Sequence, residues 1–410
     1  MSDKPDGSFR ISDLVDMDNE HAARTLIRHA ADVRASDLFF MTNEKSLQVS
    51  IRRLGSLEKV AVVPLEMGRH MIGFVKAMAG MDIAEHRRPL DGRWIDTFDG
   101  KQLDLRINTV PTLFGEDMTL RIWDREVGLF DLDELGMARH DYGRLINMLS
   151  RPSGLILVTG PTGTGKTTTL YACLQHLNDG QRKINTLEDP VEYALSGVRQ
   201  SQVNPVLGLD FPELLRNVLR QAPHVIMIGE IRDQDTAATA VRAANSGHLV
   251  LATLHAPVAA SAVQSMIVLG SNPFFLSSCL LGIVAQRLVR TLCPKCRVEY
   301  DISESPQTFA PVKSLLGPNE GHSIYGPGGC DNCYYSGYTG RTGLFEILTI
   351  NQAIRRLIAD ARPSTEIEKA AIDNGMTEFR RGALLKVAQG ITSTEDILRD
   401  VPAEYLGIEE

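Results

Sequence analysis

The sequence predicts an α/β protein in two parts: a parallel sheet covered by helices on both faces and, before it, a smaller α+β domain. Three observations carry this reading. From about Met137 onward, short continuous apolar runs alternate with amphipathic segments, the pattern of strands buried on both faces and joined by crossover helices. Before Arg125 the runs instead alternate apolar and polar residues with period two, as half-buried strands do. Finally, the apolar run Leu155-Ile156-Leu157-Val158 leads straight into Gly160-Pro161-Thr162-Gly163-Thr164-Gly165-Lys166-Thr167, a phosphate-binding loop set between a strand and a helix.

Taken in order, residues 1–18 form a polar N-terminal tail, and its first ten residues hold no apolar segment of the kind a secretory signal needs. Ala22, Ala23, Leu26, Ile27 and Ala30 fall at helical spacing, predicting a helix over 19–34. Residues 47–51, 103–107 and 118–122 alternate, Leu54-Gly55-Ser56 marks a turn, and 71–79 reads as a helix; together these define an α+β domain over 19–125. The acidic, turn-rich stretch 126–136 is a linker to a second domain over 137–410. There the predicted strands are 155–159, 184–187, 225–228 and 249–254, and the predicted helices are 167–177, 211–220 and 236–245. After Cys333 the pattern is mostly helical, with a helical C-terminal part from 351.

A length of 410 residues suits two or three domains at roughly 150 residues each. A formal net charge of −8 argues against a chain built to coat nucleic acid. The nearest thing to a membrane span is the apolar stretch 273–285, shorter than the roughly 18 residues required and interrupted by Ser277, Ser278 and Gly282. The cytoplasm is therefore the expected compartment, and any membrane role runs through partners.

The loop's chemistry follows from its residues. Glycines let the backbone curl so that its N–H groups point at phosphate oxygens; Lys166 reaches the β and γ phosphates, and the Thr167 hydroxyl ligates Mg²⁺. Residues 160–168, through Thr168, form the nucleotide-binding set, and the helix that follows adds its positive N-terminal dipole. The run Val225-Ile-Met-Ile-Gly-Glu230 ends a strand with a carboxylate, where Glu230 can hold Mg²⁺ through water or polarise an attacking water; the alternative is a surface ion pair with Arg232. Glu188, Asp189 and Glu192 end another strand, and Pro190 keeps Asp189 out of the helical region. Three acids there suit the handling of a metal or a water proton, or simply solvate the strand end. His248 and His255 flank the strand 249–254 seven residues apart, an odd spacing that sets them on opposite faces of a regular strand.

Six cysteines fall into two groups. Cys173 and Cys279 sit in apolar helical patterns and read as packing residues. Cys293-Pro-Lys-Cys296 and Cys330-Asp-Asn-Cys333 are paired C-x-x-C knuckles on either side of residues 297–329. Their spacing favours a structural zinc site of four thiolates over disulfides or a redox motif, neither of which needs two such copies in a reducing compartment.

These residues together resemble one family. The phosphate loop, Glu188-Asp189-Pro190-Val-Glu192-Tyr, Arg220-Gln221, Met227-Ile-Gly-Glu-Ile-Arg-Asp233, Gly247-His-Leu-Val-Leu-Ala-Thr-Leu-His255 and Ala285-Gln-Arg-Leu-Val-Arg290 are similar to the ordered motifs of the secretion-superfamily ATPases of type II secretion and type IV pilus assembly. The resemblance covers about residue 31 to the C-terminus. It implies a RecA-like P-loop ATPase domain preceded by a PAS-like N-terminal domain. It also implies a homo-hexameric motor using ATP and Mg²⁺ at the inner face of the cytoplasmic membrane. The implied partners are a polytopic inner-membrane platform protein and a membrane-anchored docking protein, with no nucleic acid.

By matching position, the resemblance makes Lys166, Glu188 and Glu230 catalytic, the last in the Walker B element, and puts His248 and His255 in a histidine box. It makes Arg106 and Arg121 arginines that reach the nucleotide from the N-terminal domain. Cys293, Cys296, Cys330 and Cys333 look like the Zn²⁺ subdomain of the secretion and pilus-extension branch, here spanning 287–345. The chain departs from the family pattern at Phe39 and Met41, at Leu90, and at Ala222 and His224, none of them in the phosphate loop. Two rival readings are a nucleotide-regulated scaffold with little turnover and a conjugation-type nucleic-acid motor.

Overall fold

The computed structural model describes Leu14 and residues 16–124 and 129–408. It divides into two compact units, Met1–Gly128 and Leu129–Glu410. Most of the polar tail, Arg125 at the end of the first domain, and residues 126–128 at the start of the linker lie outside the described residues.

In the first unit, helix α1 (Asn19–Asp32) starts where the Asp18 side chain accepts the His21 N–H, and it buries Ala22, Ala23, Leu26, Ile27 and Ala30, which is N-capping followed by an apolar stripe. The strands are β1 (Asp37–Thr42), β2 (Ser46–Arg53), β3 (Ser56–Pro64), β4 (Leu90–Phe98), β5 (Lys101–Thr112) and β6 (Gly115–Asp124), with α2 (Leu65–Met78) between β3 and β4. They form one antiparallel sheet in the order β3-β2-β1-β6-β5-β4. Leu38, Phe40, Val49, Ile51, Leu105 and Leu120 join residues of α1 and α2 in one core, so alternate strand positions face away from it. Those alternate positions carry a cross-strand row, Arg52, Asp37, Arg121, Arg106 and Arg93, each register partner of the next. Inside the core, the fully buried Lys76 ammonium meets Glu116 at 3.0 Å and donates to the Glu85 carbonyl at 2.7 Å, pairing a charge that would otherwise be costly to bury.

The second unit alternates as the sequence predicts. Its parallel strands are β7 (Gly154–Thr159), β8 (Ile184–Glu188), β9 (Arg199–Gln202), β10 (Val225–Ile228) and β11 (Leu249–Leu254). The helices among them are α3 (Arg139–Leu149), α4 (Lys166–Leu177), α5 (Phe211–Val218) and α6 (Gln234–Asn245). After α7 (Ala259–Val268) and α8 (Pro273–Cys279) come the long β12 (Leu280–Leu292), the small hairpin β13 (Val298–Asp301) and β14 (Ser323–Gly326), and β15 (Tyr338–Thr349). The seven-stranded order is β15-β12-β7-β11-β10-β8-β9. Alternation within β7 serves both faces of this sheet: Leu155 and Leu157 enter one core, Ile156 and Val158 the other.

The structure corrects the sequence reading in three places. The sheet is mixed, because β15 runs antiparallel to β12 along its whole length, whereas the pattern after Cys333 reads as mostly helical. The stretch 273–285 splits: Asn272 caps a short helix begun by Pro273, and the chain turns extended at Leu280. Helix α5 stops at Val218 and passes through a 3-10 turn (Leu219–Gln221), because Ala222 adopts the left-handed conformation with Pro223 after it. The C-terminal part is helical, with α9 (Gln352–Ala359), α10 (Ser364–Asp373), α11 (Phe379–Ala388), α12 (Thr394–Asp400) and α13 (Ala403–Leu406). Cys173 and Cys279 are buried, and burial pushes each thiol up to about 12, so both remain protonated packing groups. Among the described residues no helix is long and apolar enough to cross a membrane.

Candidate active site

Parallel register brings four strand ends to one edge. β7 pairs with β11 up to Thr159 and Leu254, and β10 lies between β11 and β8. The phosphate loop therefore follows β7, His255 follows β11, Glu230 follows β10 and Glu188 ends β8, all at the carboxyl edge where ligands of open α/β sheets bind.

The loop's shape is set by backbone that only glycine adopts easily. Gly160, Gly163 and Gly165 have φ of 144°, 81° and 85°, and a Cβ on Gly160 would stand 2.5 Å from the Gln286 carbonyl oxygen. Lys166 Nζ donates to the carbonyls of Gly160 at 2.8 Å and Pro161 at 3.0 Å. Burial lowers its ammonium from the ordinary lysine range, and the Glu230 carboxylate pulls the other way. Thr167 is exposed at the start of α4, beside Thr168, and Thr164 closes the loop by donating to the Pro161 carbonyl at 2.9 Å. From β12, Gln286 Nε2 donates to the Thr164 carbonyl at 2.6 Å while its Oε1 accepts from Thr169 at 2.8 Å. Gln286 lies within the motif 285–290, which the sequence reading quotes without giving this residue a role; its signal is the one amide side chain in the strand run. Gly160→Ala is expected to abolish measurable ATP binding with the rest of the unit folded, since both φ and the Gln286 contact forbid a side chain. Isothermal titration with ATP checks this.

Glu230 is held from two sides. His255 Nε2 lies 2.8 Å from its Oε1 and Arg232 Nη2 lies 2.6 Å from its Oε2, with the carboxylate only 16% exposed. Arg232 also comes within 3.9 Å of Asp189. The ion pair with Arg232 and the placement at the ligand edge thus coexist. Gly229, before it, is fixed by its N–H to the Leu187 carbonyl at 2.7 Å and by Thr253, whose hydroxyl donates to its carbonyl at 2.5 Å.

Glu188 is placed differently from an open strand-end acid. It is 2% exposed, and its carboxylate accepts from the Tyr171 hydroxyl, from Thr186 at 2.6 Å and from Gln200 at 3.0 Å. Asp189, joined to Pro190 by a cis peptide bond, is the more exposed acid of the pair. The two histidines are not brought together. His248 precedes β11 and donates from Nδ1 to the Pro223 carbonyl at 2.9 Å, at the amino end of a strand about 20 Å long. Only His255 meets Glu230.

Arg106 and Arg121 belong to the first unit, where they are register partners. The Arg106 guanidinium lies over the Trp123 ring, 5.4 Å from its centroid, and Arg121 Nε lies 3.2 Å from the buried Asp37 carboxylate. A cleft of about 710 Å³ along the second half of α4, lined by Leu132, Tyr142, Gln175, His176 and Leu195 among others, contains none of these site residues.

At the far end of the β12–β15 arm the four knuckle cysteines converge, all sulfurs within 4.8 Å of one another. Three sulfur pairs stand at 3.8, 3.7 and 3.8 Å. A tetrahedron with zinc–sulfur arms of about 2.3 Å has edges of about 3.8 Å, so the donor set fits that ion. Backbone N–H groups of Cys330 and Gly337 point at Cys333 Sγ at 3.4 and 3.3 Å, and Asn332 points at Cys293 Sγ at 3.5 Å, the outer contacts that orient thiolate ligands.

Comparison with known proteins follows the same lines. The model of the type II/IV secretion system protein family matches residues 17–399. The chain is 42% identical over 374 residues to type II secretion system protein E of Dickeya dadantii, covering 91% of this chain and 74% of that protein. It is 42% identical over 365 residues to type II secretion system ATPase E of Vibrio cholerae, covering 89% and 72%. It is 41% identical over 374 residues to the type IV pilus assembly ATPase PilB of Pseudomonas aeruginosa, covering 89% and 64%. In fold it is similar to the Legionella pneumophila ATPase DotB, with a TM-score of 0.67 at 20% identity over 97% of this chain and 96% of the other. The pilus retraction motor PilT with bound ADP gives 0.61 at 24% over 92% and 96%. The chain belongs to the type II/IV secretion system protein family and is one of its ATPases.

Proposed function

We propose that the chain is the motor of a type II secretion pseudopilus or type IV pilus assembly system. It works as a homo-hexameric ring at the cytoplasmic face of the inner membrane, against a polytopic platform protein and a membrane-anchored docking protein. The observation that carries this reading is the gathering of the phosphate loop, Glu230 and His255 at one sheet edge, in a chain 42% identical to a type II secretion system protein E and 41% identical to a type IV pilus assembly ATPase.

Residues 160–168 hold the triphosphate, with Lys166 released from the Gly160 and Pro161 carbonyls onto the β and γ phosphates. Thr167 and Glu230 would hold Mg²⁺, which would neutralise the charge that develops on the transferred phosphoryl group. Glu230 orients the attacking water, and His255 fixes the carboxylate that does so. Arg106 and Arg121, which lie over Trp123 and beside Asp37, supply positive charge to the triphosphate. Hydrolysis at this sheet edge is turned into motion of the ring subunits, and His248, held at the amino end of β11 by the Pro223 carbonyl, stands apart from the chemistry. Cys293, Cys296, Cys330 and Cys333 would hold a Zn²⁺ in a structural role, since all four thiolates are taken up as ligands. The test is steady-state ATPase activity of purified wild type against Lys166→Ala. Loss of at least about 100-fold in turnover is expected, and equal rates would reject the assignment.

A further inference from the structure

We propose that Tyr171 is a positioning residue for ATP hydrolysis. Its hydroxyl ties the helix that follows the phosphate loop to Glu188 and to the acidic loop, and so sets where that loop stands at the nucleotide. The inference rests on the reading, implied by the family resemblance, that Glu188 and the acidic loop it begins, with Asp189 and Glu192, serve hydrolysis.

Tyr171 lies on α4, five residues beyond Lys166, with its ring 1% exposed. A phenol buried this deeply needs partners for its hydroxyl, and it has four. It donates to Glu188 Oε2, and it lies within reach of the backbone N–H groups of Glu192 at 3.2 Å and Tyr193 at 3.5 Å and of Gln200 Nε2 at 3.4 Å. Burial and the Glu188 carboxylate push this phenol well above its ordinary range, so it stays a neutral donor.

Gln200, on β9, completes the circuit. Its amide nitrogen donates to Glu188 Oε1 at 3.0 Å and to the Tyr193 carbonyl at 2.8 Å, and its Oε1 accepts from the Leu195 N–H at 2.7 Å. Thr186 supplies the remaining donor to Glu188. Glu188 thereby accepts hydrogen bonds from α4, from its own strand β8 and from β9. The groups of the same loop that remain outside the circuit are carried by the backbone it fixes, Asp189 among them, 3.9 Å from the arginine that grips Glu230. Glu188 acts as the anion that anchors the loop, and Tyr171 as the link that makes the anchor rigid with respect to the phosphate loop.

Such a network has a signature that a packing role lacks. Tyr171→Phe removes one oxygen and keeps the ring, so turnover is expected to fall about ten-fold or more while KM for ATP stays within about three-fold. The thermal midpoint is expected to stay within a few degrees. Because the effect passes through Glu188, Tyr171→Phe is expected to cost less than about two-fold further once Glu188→Gln is present, the non-additivity expected of residues in one network. Steady-state kinetics of the wild type, both single variants and the double variant on the full chain read all of this. Unchanged turnover in Tyr171→Phe, a change confined to KM, or equal cost in both backgrounds would overturn the proposal. Full activity in Glu188→Gln would overturn the acidic-loop reading beneath it, which the single Tyr171 variant alone does not address.

Discussion

Glu230→Gln is expected to lower ATP turnover by about 100-fold or more while ATP affinity changes by no more than a few-fold. The amide has the shape of the carboxylate, so the packing at the end of β10 and the Thr253 contact to Gly229 persist. What is removed is the charge that His255 and Arg232 hold 2.8 and 2.6 Å away. A residue that orients or polarises the attacking water contributes about 10²–10⁴ in rate, whereas phosphate binding depends on the loop N–H groups and Lys166, which stay in place. Arg232 keeps a second anion in Asp189 at 3.9 Å, so the substitution strands no buried cation. Turnover by phosphate release, and affinity by titration with a slowly hydrolysed analogue, separate the two effects; wild-type turnover in the variant would remove Glu230 from the chemistry.

Cys330→Ser is expected to empty the tetracysteine centre and to unfold the insertion around it. The sulfur separations near 3.8 Å match the edge of a zinc–thiolate tetrahedron, and the folding free energy of such a site is largely that of its metal. Near the centre, β13 is exposed along its length and β14 only half-buried, while Phe309 and Val312 of the same insertion are buried in the main core. Metal analysis is expected to fall from about one zinc per chain to near none, with protease cleavage appearing within 297–329. The remainder should stay folded. The arm is anchored separately where the fully buried Asp396 accepts from the Arg290 backbone N–H and side chain at 2.5 Å. Retention of a full equivalent of zinc would reject the four-thiolate site.

The parts that were legible are those written locally. Strands 225–228 and 249–254 are continuous apolar runs bounded by a charge or a turn, and the structure places them at those residues. The phosphate loop is legible for the same reason, since its glycines meet a backbone demand inside one turn. β15 was not, because its first half, Tyr338-Thr-Gly-Arg-Thr-Gly343, carries polar residues and glycines. Its extended form is imposed by pairing with β12, a tertiary effect that outweighs intrinsic preference. The enclosure of Glu188 was equally out of reach, because Tyr171 and Gln200 lie 17 and 12 residues away and only the fold brings them to it. The histidine pair misled in a third way: parity along a strand says which face a residue takes, but His248 and His255 stand beyond its two ends.

The most direct measurement is assembly in cells lacking this chain, complemented at equal abundance with wild type or with Glu230→Gln. Wild type should restore pseudopilus or pilus extrusion, counted by microscopy or by secreted substrate, and the Glu230→Gln chain should restore none of it. Restoration by Glu230→Gln to the wild-type level would contradict the claim that turnover at this sheet edge powers assembly.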